Sequence, residues 1–390
     1  MSETDVLRAP QTGPIRLDDM PEGQISLIVF GPGRGEAIVL VLPDGSIGVV
    51  DGCREPEKND PVGRGDPVRE LLATMGRRRL RFVCLTHPHA DHYPGLGRLL
   101  QWHRPEKVFV TLPLTGDYKK VFLAYSAALE KGVPPAEKGG LERFYAQVER
   151  FESSGGEINH MDERKLLLEE NSLCGARLAI WSCGPAPADV KRTLNDLLGY
   201  AQAHATKAPL PPETIDPNIA SGALHVHWGD AGLLLTGDLL RGEHPLSGWN
   251  KTESWLCPPG HPVQVINVAH HGSEGAHHDG LWAKLQPKLA IVTPFQNAQN
   301  GQPPKRSDLD RLASTATVVV TTPPAWLGTA GAASATPLGR VIPVTSRSTA
   351  LKGIIEPALA INNAVAVSLD KTGAITRLIL SGAASLYPFT

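Results

Sequence analysis

The sequence contains no apolar run approaching the ~18 uninterrupted residues of a membrane span, so a membrane-embedded role is not expected. Its amino-terminus, MSETDVLRAPQTG, is polar and lacks the apolar core of a secretory signal. Cysteine is scarce: Cys53, Cys84, Cys174, Cys183 and Cys257 are odd in number, scattered, and form no CxxC pair. That excludes a disulfide frame and fits reduced thiols in a cytoplasmic protein. Charge of one sign is missing too. Thirty-eight Lys and Arg against 40 Asp and Glu give a formal charge of −2. No global basic excess advertises nucleic acid, and no aromatic-plus-basic stripe suggests a single-strand platform. Positive charge concentrates only in Arg77-Arg78-Arg79-Leu80-Arg81, which reads as a solvated helix end or, less simply, a phosphate-binding edge. There is no internal repeat.

What is present suffices for one large core or two modest ones: 390 residues, 41% hydrophobic and 20% charged. Residues 1–24 read as a loosely held arm. Strands are expected over 25–30, 37–42 and 47–50, the last two joined by the turn Pro43-Asp44-Gly45. Residues 54–66 form a charged, Gly- and Pro-rich loop, followed by a helix over 67–75 and a buried strand over 80–85. A helix over 96–102 and a strand over 107–111 come next. Segment 117–153 has helical character and interrupts the strand rhythm, so it is expected as an inserted cap. Strands return near 157–161, 166–168 and 177–181, with a helix over 190–203. Further strands are expected over 223–228, 232–236, 263–268, 289–293 and 317–321, with helices over 278–285 and 307–314. Residues 323–390 read as an Ala/Gly/Pro-rich loop and a closing hairpin, 364–369 with 374–380, packing on the main domain at 25–322. Strands alternating with helices indicate an α/β layered fold.

One segment carries chemistry in concentrated form. Thr86-His87-Pro88-His89-Ala90-Asp91-His92 places three imidazoles and a carboxylate directly after an apolar strand. A loop at a strand end can wrap such side chains around a cation, and the donors suit zinc, manganese or iron. His87 and His89, two apart, can share one metal, while Asp91 and His92 can face a second. Two later strands end the same way. Leu233-Leu234-Leu235-Thr236-Gly237-Asp238 brings a carboxylate that can bridge two cations ~3.5–4 Å apart. The run 263–268 leads into Ala269-His270-His271-Gly272-Ser273. One of these two histidines is the natural remaining ligand; His271 is favoured, leaving His270 to face substrate. Asp51, at another strand end, suits the task of fixing a ligand imidazole's tautomer, or simply makes an Asp-Gly turn. Asn218 and Ser221 can contact substrate or cap a turn. His225 and His227 alternate on one strand face and read as core or surface histidines.

The ordered set resembles the metallo-β-lactamase superfamily, and within it the metallo-hydrolase domain of competence DNA-uptake channel proteins and its stand-alone relatives. The resemblance covers roughly 25–322. It rests on Gly31-Pro32-Gly33-Arg34-Gly35-Glu36-Ala37 with Pro43-Asp44-Gly45 and Val50-Asp51-Gly52, then 86–96, Asn218-x-x-Ser221, 234–238 and 270–273. It implies a four-layer αββα metallo-β-lactamase sandwich. It also implies two divalent cations, Zn2+ in the first place and Mn2+ as an alternative. His87 and His89 would hold the first, Asp91, His92 and His271 the second, and Asp238 would bridge. A hydroxide held by the pair would attack, with Asp91 orienting it and His270 stabilising developing charge. A third histidine, common in the superfamily on the first metal, has no obvious counterpart here; His160 is the candidate. The expected activity is hydrolysis of a phosphodiester in nucleic acid or a nucleotide. The alternatives are hydrolysis of a small ester, lactone, amide or phosphorylcholine-type substrate, and a non-catalytic metal-binding module.

Overall fold

The computed structural model describes residues 2–33, 35–54, 65–76, 78–112, 120–121, 139–205, 216–253, 262–295, 302–327 and 363–388. The expected loop 54–66, most of segment 117–139 and the Ala/Gly-rich stretch after residue 327 thus lie largely outside the described residues.

Two mixed sheets form the centre. The first runs β1 (Gln11–Thr12), β16 (Ile375–Ser381), β15 (Ala364–Leu369), β2 (Ile25–Phe30), β3 (Ala37–Val41), β4 (Ile47–Val50), β5 (Leu80–Leu85), β6 (Lys107–Val110) and β7 (Glu157–His160). The second runs β17 (Ser385–Tyr387), β14 (Thr317–Val320), β13 (Leu289–Val292), β12 (Val265–Asn267), β11 (Ala231–Leu235), β10 (Ala223–Trp228), β9 (Ala176–Gly184) and β8 (Lys165–Leu173). Strand alternation sorts the side chains into layers. Leu27, Val29, Phe82, Cys84, Leu233, Leu235 and Val265 meet between the sheets. Ile28, Phe30, Val83 and Leu85 point the other way, onto helices Pro67–Leu72, Leu96–Trp102 and Gly140–Ser153. Leu234, Ile266, Ala290 and Val318 do the same in the second sheet, under helices Asp279–Leu285 and Arg306–Ala313. Covered on both faces, these strands are predominantly apolar on both, with isolated polar residues such as Ser26 and Arg81. The result is four layers, helix–sheet–sheet–helix.

Several elements differ from the sequence expectation. The amino-terminal arm is tied down: Val6, Ile15 and Leu17 are buried, and β1 pairs in parallel with β16. Helix Gly140–Ser153, at the end of the segment expected as a cap, instead belongs to a principal layer, because Leu141, Phe144, Val148 and Phe151 sink into the core beneath Leu96 and Leu99. The closing hairpin does more than pack on the main domain: it enters the first sheet, β15 pairing with β2 along its whole length. The described arginines of the basic run are paired within the chain. Arg78 pairs with Asp18, Arg79 with Asp44 and Glu106, and the buried Arg81 with Glu106 and Glu170.

The parallel stretches matter most for function. β4 and β5 in one sheet, and β11, β12 and β13 in the other, run parallel within their sheets. Their carboxyl ends carry Asp51, the 86–92 turn, Asp238 and the His270–His271 pair.

Candidate metal centre

After Leu85 the chain closes on itself. His89 N–H donates to the His87 carbonyl at 2.9 Å, and His92 N–H to the His89 carbonyl at 3.0 Å. This turn holds His87, His89, Asp91 and His92 together. It is braced by glycine: a Cβ on Gly35, at φ +73°, would lie 2.2 Å from the Asp91 carbonyl oxygen. Gly237, at φ +47°, lets the Asp238 turn approach Thr86 in the same way. His270 and His271 themselves take left-handed φ values of +49° and +57°, a conformation that costs non-glycine residues about 1–3 kcal/mol and concentrates at functional sites.

Two donor sets result. Ligand atoms of Asp91, His92, Asp238 and His271 lie within 4.8 Å of one another, and so do those of His87, His89 and Asp238. Asp238 belongs to both. Its Oδ1 is 3.4 Å from His92 Nε2, while its Oδ2 is 3.8 Å from His87 Nε2 and 3.9 Å from His271 Nε2. Thus the structure brings together all six residues read as ligands, drawn from three distant stretches of chain.

The donor atoms are suited to cations. His87 Nε2, His92 Nε2 and Asp238 Oδ2 are buried without a hydrogen bond, and His89 Nδ1 and Asp91 Oδ1, also buried, have each other at 2.9 Å. Buried polar atoms are rarely left so, because each unpaired group costs about 1–3 kcal/mol. A cluster of five, all imidazole nitrogen or carboxylate oxygen, fits one or two divalent cations. Without them, protons take their place. Burial alone would depress His92 and His271, but the carboxylates of Asp238 and Asp91 more than offset it. His92 is held well above its ordinary value and His271 rises to about 9. Burial would raise Asp91 and Asp238, yet the facing imidazoles hold both carboxyls well below the usual range. His87 goes the other way, pushed well down by burial and by the neighbouring His92.

The remote ring nitrogens are fixed from behind. Asp51, fully buried at φ +58°, accepts from Thr86 N–H at 2.8 Å and Thr86 Oγ1 at 2.6 Å. Its Oδ2 also lies 2.8 Å from His92 Nδ1, so Nδ1–H donates there and Nε2 is the nitrogen turned toward the centre, the one that must give up its proton to ligate. The Thr86 hydroxyl, 3.1 Å from His87 Nδ1, completes a second path from the same carboxylate. His271 Nδ1 donates to the Thr293 carbonyl at 2.8 Å. Ser221 is no bystander: its Oγ accepts from Asp238 N–H at 3.0 Å and lies 3.3 Å from His87 Nδ1.

His270 stands outside both sets. Its Nε2 is 3.2 Å from Asn218 Nδ2 and its Nδ1 is 2.9 Å from Ser273 Oγ. Burial holds its pKa down, leaving the ring neutral at ordinary pH. His160 sits at the exposed end of edge strand β7 and joins neither set. It lies beyond reach because β7 is two strands removed from β5. His225 and His227 face one another on β10 and also stay apart from the sets. Sequence reading passed over Glu36 altogether. It is buried, accepts from Asn267 Nδ2 at 2.9 Å and Thr293 Oγ1 at 2.7 Å, and its backbone N–H donates to the Asp91 carbonyl at 3.2 Å. A glutamate closing a glycine-rich turn at the head of a buried strand was the available signal.

Comparison with known proteins gives a consistent family. A profile of the metallo-beta-lactamase superfamily matches residues 60–294. ComE operon protein 3 of Bacillus subtilis is 24% identical over 291 residues, 72% of this chain; the chain spans 30% of that protein's length. Among solved structures, the metallo-beta-lactamase fold protein YhfI from Bacillus subtilis aligns at 9% identity over 76% of this chain and 96% of its own, with a TM-score of 0.37. A long form RNase Z from yeast aligns at 11% identity over 70% of this chain and 37% of its own, with a TM-score of 0.35.

Proposed function

Because the chain belongs to the metallo-β-lactamase superfamily, we propose that it is a hydrolase working through two divalent cations, with phosphodiesters of nucleic acid or nucleotides as substrates. The observation that carries this reading is the pair of donor sets sharing Asp238, with His87 Nε2, His92 Nε2 and Asp238 Oδ2 buried without a hydrogen bond. His87, His89 and Asp238 would hold one cation, and Asp91, His92, Asp238 and His271 the other, Zn2+ being the best match to this donor chemistry. When bound, such a pair supplies Lewis-acid charge stabilisation and a water of lowered pKa, and it suits the attacking and leaving oxygens of a phosphodiester.

The chain's own residues supply the rest. Asp91, whose Oδ1 faces His89 Nδ1 at 2.9 Å and whose Oδ2 faces His271 Nε2 at 3.1 Å, is the carboxylate placed to take a proton from an attacking water. His270 is neutral and fixed through Nδ1 by Ser273, so its Nε2 is the group to contact a substrate oxygen. Asn218 lies against that nitrogen. Which way its amide points is set by the hydrogen-bond network: one orientation donates to His270, the other accepts from it and frees an N–H for substrate.

A second reading has its own support. A pocket of about 250 Å3 lies on the segments that flank the centre, lined by Arg192, Asp196, Asp216, Arg241 and Glu243 among others. Three carboxylates beside two guanidiniums fit a small polar substrate better than a long polyanion. Zn2+- or Mn2+-loaded protein assayed on bis-p-nitrophenyl phosphate, single-stranded DNA, RNA and a lactone separates the two. Turnover of DNA or RNA that falls steeply with salt supports the nucleic-acid reading; lactone turnover indifferent to salt, with no phosphodiester cleaved, overturns it.

A further inference from the structure

The centre is backed by two relays of the same kind, and only one was legible in the sequence. On one side Thr86 Oγ1 donates to Asp51 Oδ2 at 2.6 Å and lies 3.1 Å from His87 Nδ1. On the other, Thr293 Oγ1 donates to Glu36 Oε2 at 2.7 Å and lies 3.3 Å from His271 Nδ1, while the Thr293 carbonyl takes the closer contact to that nitrogen at 2.8 Å. Carboxylate, threonine hydroxyl, imidazole: the order is the same. The two carboxylates come from β4 and from the start of β3, and the two threonines follow β5 and β13, so each relay is assembled across elements.

We propose that Glu36 is a positioning residue for the second donor set, acting through Thr293 on His271 and through its own backbone N–H on Asp91. The inference rests on the metal-centre reading above. Glu36 is 2% exposed, and its Oε2 also accepts from Asn267 Nδ2 at 2.9 Å, so the carboxylate is held by β12 as well as β13. With its hydroxyl proton committed to Glu36, Thr293 can only accept from His271. Both Thr293 oxygens then accept from His271 Nδ1, the carbonyl at 2.8 Å and the hydroxyl at 3.3 Å, and together they hold the ring with Nε2 facing Asp91 and Asp238. The Glu36 N–H bond to the Asp91 carbonyl, 3.2 Å, ties the same residue to a second member of that set. Neither His87 nor His89 is reached by this route. Glu36 therefore supports one cation position and not the other.

In Glu36→Gln the side-chain shape is kept, but an NH2 group replaces one acceptor oxygen. If it faces the Thr293 hydroxyl, that hydroxyl loses its acceptor and turns, so the Thr293 side chain no longer offers His271 Nδ1 a second acceptor beside the carbonyl and the ring is held less firmly. Partners behind a ligand imidazole are typically worth 10–100-fold in metal affinity. Zn2+ uptake by metal-free protein, titrated against a chromophoric chelator, reads both equivalents. The expected result for Glu36→Gln is one equivalent weakened 10–100-fold and the other unchanged. Thr293→Val should reproduce it and Thr293→Ser restore the wild-type value. In a His271→Ala background, Glu36→Gln should produce little further loss. Two unchanged equivalents overturn the proposal. So does an equal weakening of both with a lowered unfolding temperature of the metal-free protein, which marks a purely structural role. Wild-type protein that takes up no Zn2+ overturns the metal-centre reading itself, and the relay with it.

Discussion

Replacing Asp51 by Asn tests how far one buried carboxylate governs the whole centre. Asp51 accepts three hydrogen bonds, from Thr86 N–H, Thr86 Oγ1 and His92 Nδ1, at 2.8, 2.6 and 2.8 Å. All three partners present a proton to it. An asparagine has only one acceptor oxygen, so in either amide orientation its NH2 meets at least one donor. If the NH2 faces His92, the ring must accept at Nδ1 and carry its proton on Nε2, the nitrogen 3.4 Å from Asp238 Oδ1. A protonated Nε2 cannot ligate. A buried donor set against a donor costs about 1–3 kcal/mol, equivalent to roughly 10–100-fold in affinity. Through Thr86 the same substitution disturbs His87, which belongs to the other donor set. Asp51→Asn is therefore expected to weaken both Zn2+ equivalents by 10–100-fold each, whereas Glu36→Gln should touch one. Chelator competition on metal-free protein gives the affinities, and thermal unfolding of the same samples should show a fall of a few degrees. Two equivalents retained at wild-type affinity would refute the claim that Asp51 sets the tautomer of His92.

Three more outcomes follow from the same geometry. Since carboxylates hold His92 well above its ordinary pKa and His271 up to about 9, both rings are protonated in metal-free protein near neutrality. Zn2+ uptake should release protons, and affinity should rise as pH is raised toward 9. Calorimetry in two buffers of different ionisation enthalpy measures the release, and a heat independent of buffer would contradict it. Asp91→Ala should lower turnover by about 10²–10⁴-fold, the usual weight of a proton-transfer group, with unchanged circular dichroism; full activity would remove Asp91 from the reaction. The donor sets are unequal: one offers four protein ligands, the other three, with the His89 side chain 36% exposed. Co2+ titration followed by absorption should therefore fill the Asp91–His92–His271 position first, and His89→Ala should erase only the weaker step.

Much of this fold could be read in advance because its strands are covered on both sides. Runs such as 82–85, 231–235 and 289–292 are apolar without interruption, and the polar residues that follow them, Thr86, Thr236 and Thr293, fall on strand ends by necessity. The histidine motif is local, so spacing alone gave His87, His89, Asp91 and His92 a common purpose. What stayed hidden depends on register between distant segments. Nothing within 1–24 reveals that Gln11 and Thr12 will pair with Ile379 and Leu380, or that Glu3 will reach Lys288. Helix Gly140–Ser153 looked like an insertion because amphipathicity shows that a face is buried, not against what. The basic run at 77–81 read as a solvated helix end or a phosphate-binding edge because the counterions of Arg78, Arg79 and Arg81, namely Asp18, Asp44, Glu106 and Glu170, are up to 89 residues away.

The adjacent histidines show where sequence stops and structure decides. His270 and His271 have the same side chain on neighbouring residues, and both adopt left-handed backbone, so no local preference separates them. What separates them is what waits behind each ring. Thr293, 22 residues on, offers a carbonyl oxygen to Nδ1 of His271, and Glu36, more than 230 residues back, claims the Thr293 hydroxyl. His271 is thereby committed to turning Nε2 on Asp91 and Asp238. His270 finds only Ser273 and Asn218, a hydroxyl and an amide that can each donate or accept. A ring held by a carbonyl has one tautomer, and a ring held between two such groups has two. The first arrangement suits a ligand that must always present a lone pair; the second suits a group whose hydrogen bonding must adapt as charge develops on a substrate oxygen.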